Sequence, residues 1–185
     1  MRRRSAQTPQ RGRHTRQRLV RSFIELVLTH GYEQLTPAMV ACHAGVGRST
    51  LYTHFAGLAQ MLEASLEGPN TVLTASTLPG ARASDLVPLL RHFQSQQHRN
   101  AAFFRDPVRS IWARSLARSI AARMRRDVTC RKPRPALPRD LVVPAVAELQ
   151  IGLICRWITG RSNHSADTVA LALATSAQRM MATND

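Results

Sequence analysis

Apolar residues recur along the chain at intervals of three and four, and no segment sustains an alternation of period two. From Thr15 the stripe Leu19, Phe23, Leu26 and Val27 predicts a helix that stops at Gly31. Thr36-Pro37 signals a second helix, because a threonine hydroxyl accepts from the free amides of a first turn and proline fits there without strain. Met39, Val40 and Ala44 continue it, and Gly45 is able to take the left-handed conformation that ends it. Residues 48–55 then form a short helix with Leu51 and Phe55 as its inward edge. Two short helices around a glycine turn make a helix-turn-helix, here over about 36–55. A longer helix starts at Leu58 and runs through Met61, Leu62 and Leu66, ending near Gly68-Pro69 or continuing with a break toward Leu78-Pro79-Gly80. Further helices are expected over 84–98, 107–128, 139–160 and 165–182, each bounded by Ser, Pro or Gly punctuation, with 131–139 as a loop. The expected fold is all-α: a flexible arm over 1–13, an N-terminal three-helix domain with the helix-turn-helix over 14–66, and a larger C-terminal helical domain over 67–185.

Charge changes this picture. The chain of 185 residues carries a formal net charge of +15 at 44% hydrophobic residues, which is enough to bury a core and too apolar for wholesale disorder. Nearly all of its basic residues are arginine, with Lys132 the single lysine. A GC-rich genome produces that bias at ordinary surface positions, and it leaves the arginines beyond residue 80 open to a bland reading. The N-terminal end is different in kind. Arg2, Arg3, Arg4, Arg11, Arg13, Arg16, Arg18 and Arg21 stand there against the lone acid Glu25, the footprint expected of phosphate contact. Arg11, Arg13 and Arg16 are the arm residues expected to touch nucleic acid.

Other chemistries find little to work with. Cys42, Cys130 and Cys155 are odd in number and far apart, which excludes a Cys-x-x-Cys site and fits a reducing cytoplasm. The start Met1-Arg2-Arg3-Arg4 is followed by polar residues rather than an export signal's apolar core, and no membrane span is expected. The stretch Gly45-Val46-Gly47-Arg48-Ser49 resembles a phosphate loop only superficially, because Cys42 and Arg48 replace its first glycine and its lysine. Neither a Gly-x-Ser-x-Gly elbow nor a His-Glu-x-x-His helix is present, so no catalytic residue, metal site or cofactor is assigned.

A helix fits the major groove of B-DNA, and only its outward residues reach base edges. With Leu51 and Phe55 turned inward, Arg48, Ser49, Thr50, Tyr52, Thr53 and His54 form a candidate reading surface. The plain surface of a small helical bundle is the other reading of these residues. The arm upstream favours double-stranded DNA.

The run His30-Gly31-Tyr32-Glu33, then Thr36-Pro37, then residues 44–55 from Ala44 to Phe55, resembles the DNA-binding domain of the tetracycline-repressor-like (TetR) transcriptional regulators over about residues 13–66. That resemblance implies a cytoplasmic, ligand-responsive regulator, not an enzyme, that binds a palindromic operator as a homodimer and is released by a small-molecule effector. It places Thr36, Arg48, Tyr52 and His54 near phosphates and Gly47, Ser49, Thr50 and Thr53 near bases, with Pro37 beside them among the DNA-binding residues. Gly47 stands where the family often has a capping serine, at a cost of about a few tenths of a kcal/mol. Leu58 stands where a phosphate-binding lysine is common. A sequence-independent architectural nucleic-acid binder is the alternative function.

The segment 139–160 is apolar nearly all round and must be covered on both faces. Leu149, Leu153 and Trp157 from it, with Val169, Leu173, Ala177 and Met180 from the last helix, are the expected two-fold interface; closing a monomeric core is the other use for them. Phe93, Phe104, Trp112 and Leu116 are candidate walls of an effector pocket, with His92 or His98 to orient a polar group, although such positions also serve as plain core. Arg114, Arg118 and Arg125 suit a solvated helix face or, more sharply, an anionic ligand.

Overall fold

The computed structural model of the chain describes residues 8–127 and 138–182, without the side chains of Thr8, Pro9, His98, Asn100 and Asp127. The described residues are helical, with no strand among them, in two compact units that divide between Ser65 and Leu66. Cys130, Lys132 and most of the 131–139 loop lie outside the described residues.

The first unit is built from α1 (Thr8–His30), α2 (Pro37–His43), α3 (Arg48–His54) and α4 (Leu58–Ser65). The expected flexible arm needs correction: residues 8–13 are the first turns of α1. A proline is tolerated in a first turn, and the Gln and Arg residues that follow are good helix formers, so Gly12 alone does not break the run. Residues 1–7 of the arm lie outside the described residues. α1 packs its stripe of Leu19, Phe23, Leu26 and Val27 against α4 and α2, and all four side chains are buried. At about 1.5–3 kcal/mol for each fully buried large apolar side chain, this stripe is a main source of the unit's stability. Gly31 ends α1 at φ +79, a conformation costly for any residue with a Cβ. The chain then turns so that the ring of Tyr32 meets Phe23 edge-on at 6.2 Å, where partial burial raises the phenol pKa.

The second unit holds α5 (Glu67–Ala75), α6 (Val87–Ser95), the single turn α7 (Gln97–Asn100), α8 (Val108–Asp127), α9 (Arg139–Ile158) and α10 (Ala166–Met181). α9 is the hub, packed against α8 and α10, while α5 lies on α8. α9 is long and apolar enough to cross a membrane, yet Val146, Ile151, Ile154 and Ile158 are buried against its neighbours, as in the core helix of a bundle. The interior also holds a polar chain. The Trp112 indole N–H donates to Asn70 Oδ1 at 2.9 Å and the Asn70 amide donates to Ser115 Oγ at 3.0 Å. Gln150, fully buried on α9, donates to Ser76 Oγ at 3.0 Å and to the Leu73 carbonyl at 3.3 Å. Buried polar groups demand partners, so these bonds fix the register of α5 against α8 and α9 more tightly than apolar packing would.

Candidate nucleic-acid interface

The helix-turn-helix is positioned by caps at both ends of α2. Thr36 is extended (φ −124, ψ 152) and its Oγ1 accepts the Met39 N–H at 3.2 Å, with Pro37 in the first turn. At the other end Gly45 takes φ +62. A guanidinium nitrogen of Arg18, reaching across from α1, donates to the Ala44 carbonyl and, at 3.5 Å, to that of Gly45. A cation there satisfies carbonyls that the helix leaves free and meets its negative pole. A Cβ on Gly45 would stand 3.3 Å from the same nitrogen, so the guanidinium would have to give by a few tenths of an ångström, and the positive φ would strain it besides.

Gly47 is extended (φ −69, ψ 152) and starts α3 without a side-chain cap, as expected for a glycine in place of a serine. The inward edge is buried: Leu51 at 0% exposure and Phe55 at 1%. With those two side chains anchored, Arg48, Ser49, Tyr52 and Thr53 are exposed, and Thr50 and His54 are half-buried. Among the described residues Tyr52 is one of three large apolar side chains left in the open, at 57% exposure. Thr53 donates its hydroxyl hydrogen to the Ser49 carbonyl at 3.0 Å, so toward a partner it presents a methyl group and acceptor lone pairs. From Gln34 to Leu62 there is no acidic residue. The surface is therefore short-chained, hydrogen-bonding and free of carboxylate repulsion, which is what approach to a phosphate-lined groove requires.

The arginines of α1 divide by role. Arg11 and Arg13 are exposed, and with His14, Arg18 and Arg21 they leave the solvent side of α1 basic. Gly12 lies beside His54, its Cβ position 3.8 Å from the imidazole Cε1, so the first turns of α1 run along the end of α3. Arg16, expected in the arm, is half-buried instead, its guanidinium 5.1 Å from the centre of the Phe55 ring. That stacking supports the inward edge of α3 and takes Arg16 out of the freely presented basic face. The role of Arg18 in holding the turn was not legible from its place in a charged run. At the start of α4, Leu58 is half-buried and carries no charge, while Gln60 Oε1 accepts the Ala56 N–H at 2.6 Å and replaces an ordinary cap.

The candidates of the second unit fare differently. Trp157, Val169, Leu173 and Ala177 are buried inside their own chain and are not available to a partner. Trp157 even commits its indole N–H to the His164 carbonyl at 2.8 Å. Leu149, Leu153 and Met180 are half-buried. A helix apolar on every side does not reveal by periodicity which face its own bundle covers. The outward side carries Leu141 at 64% exposure, Ala145 and Leu149 on α9, with Leu171 at 60% and Ala172 on α10. Phe93, Phe104, Trp112 and Leu116 also need correction as pocket walls. All four are buried, and the rings of Phe93, Phe104 and Trp112 stack with centroids 5.2 to 6.0 Å apart, as in a packed core. His92 is exposed, and the side chain of His98 lies outside the described residues.

A family model described as bacterial regulatory proteins of the tetR family matches residues 24–65, from the middle of α1 to the end of α4. Solved structures resemble the chain over nearly its whole length. A TetR-family regulator from Streptomyces coelicolor superposes with a TM-score of 0.65 at 18% identity, over 98% of this chain and 99% of its own. NalD, the secondary repressor of the MexAB-OprM multidrug efflux pump in Pseudomonas aeruginosa, gives 0.53 at 20% identity over 92% and 96%. RolR in complex with resorcinol gives 0.52 at 19% identity over 95% and 91%. No curated protein matches the sequence. Residues 24–65 thus carry the match to the tetR-family model, and the chain along its length has the fold of these solved TetR-family regulators.

Proposed function

We propose that the protein is a cytoplasmic homodimeric repressor that reads a palindromic operator through α3 and leaves it when a small-molecule effector binds the second unit. One observation carries the DNA reading: Leu51 and Phe55 are locked in the core, so Arg48, Ser49, Tyr52 and Thr53 form a single outward row on a helix capped and braced by its neighbours. Arg48 suits guanine or phosphate, Ser49 and Thr53 are short enough for close approach to base edges, and Tyr52 and His54 suit backbone oxygens. Arg11 and Arg13 add phosphate contacts from α1, and Thr36 and Pro37 bring the amino end of α2 toward the backbone.

The dimer face in this reading is the outward side of α9 and α10, with Leu141, Ala145, Leu149 and Leu171 at its centre and Leu153 and Met180 at its edges. Two copies of such a pair of helices bury their leucines in a two-fold four-helix interface, and the small Ala145 lets the helices approach closely. Effector and operator are then coupled through two spacings of the reading heads, one of which the effector binds better. A sequence-independent architectural binder gains no support from these relatives, and the account of a regulator needs no catalytic step. Selection from a random duplex library at near-physiological salt tests the reading: a two-fold palindrome should be enriched, and retention without enrichment refutes it.

A further inference from the structure

Away from the aromatic core, a groove opens at the far end of α8. There Ala117, Ala121 and Met124 of α8 face Val143 and Pro144 of α9 across a groove of about 340 Å³. A cavity of that size accommodates a small organic molecule. The floor is apolar and the rim is cationic: Arg118, Arg125 and Arg139 stand around it against one carboxylate, Asp140. Neither Arg125 nor Arg139 is ion-paired among the described residues. The amino end of α9 opens at the same place, and Pro138 offers its first amides no side-chain cap. Guanidiniums and uncapped first-turn amides both favour an anion, whereas the floor favours a hydrocarbon body.

The geometry points to a binding site for a small amphipathic carboxylate, held by its charge at Arg125 and Arg139 and by its apolar part on Ala121, Met124 and Val143. An inorganic anion matches only the rim, and a neutral hydrocarbon matches only the floor. Arg118 and Arg125, which the sequence left between a solvated face and an anion site, thereby acquire a use. Binding stands by itself; its effect on DNA rests on the regulatory reading given above.

Calorimetric titration of the full chain with octanoate, 1-octanol and acetate, at two temperatures, separates these terms. Octanoate should bind about tenfold or more tighter than octanol, the worth of charge-assisted contacts, and acetate should give no measurable binding. The double substitution Arg125→Gln, Arg139→Gln alters exposed side chains only, and it should bring octanoate down to the level of octanol with an unchanged melting temperature. Equal affinities for octanoate and octanol, octanoate binding that survives the double substitution, or no octanoate binding each overturn the site. Octanoate is then added to the protein on its selected duplex. Release that the double substitution abolishes makes the groove an effector site. Octanoate held through these arginines without release keeps the site and removes the regulatory role from it, while DNA binding by a protein that ignores octanoate keeps the regulator and removes the site.

Discussion

Replacing Leu141 and Leu171 together by glutamate should separate the proposed dimer into folded monomers. In one chain these side chains are 64% and 60% exposed, so most of their apolar surface is still in water before a partner arrives. Complete burial of an exposed leucine is worth about 1.5–3 kcal/mol; four such leucines across a two-fold interface, each with some three-fifths of its surface to lose, supply roughly 4–7 kcal/mol. Glutamate removes that gain and adds the cost of desolvating a carboxylate. Because neither leucine belongs to the buried core, the monomer should keep its helical circular dichroism and its cooperative melt. Sedimentation equilibrium at micromolar concentration reads the outcome: a dimer for the parent chain and a monomer for L141E/L171E. A double variant that sediments as the same dimer would place the interface on another surface and refute the assignment of α9 and α10.

Three more substitutions probe the reading head. Arg48→Ala should weaken binding to the selected duplex by about 1–3 kcal/mol if the guanidinium is bidentate to guanine, measured by fluorescence anisotropy; an equal loss on every sequence would make it a phosphate clamp. Thr36→Ala removes the oxygen that accepts the Met39 amide and should cost about 1 kcal/mol of stability in thermal melts, which Thr36→Ser should largely restore. Gly45→Ala forces a Cβ into the left-handed region, 3.3 Å from the Arg18 guanidinium, and should cost about 1–2 kcal/mol or more by the same measurement; an unchanged melt would mean the turn is not held as described.

What the sequence disclosed follows from the range of the interactions involved. The cap at Thr36, the stop at Gly45 and the inward pair Leu51 and Phe55 depend on residues within one or two turns, so spacing reveals them. Arg16 and Arg18 look alike in a charged run, but one stacks on Phe55 and the other spans to the turn after α2; only the folded chain distinguishes them. The same holds for α9, where apolar residues on every side hide which face the bundle covers. The aromatic cluster of Phe93, Phe104 and Trp112 had the composition of a pocket and the packing of a core. The groove between α8 and α9 was foreshadowed only in the arginine series, because its floor comes from two helices whose contact no local pattern encodes.

The central claim is that α3 reads base sequence, and the ratio of two affinities tests it most directly. The dissociation constants for the selected palindrome and for a scrambled duplex of equal length and composition are measured in the same near-physiological salt. A sequence-specific regulator should favour the palindrome by roughly 10³ or more. A ratio close to one, with both affinities falling together as salt rises, would show that the arginines bind backbone alone and would contradict the account.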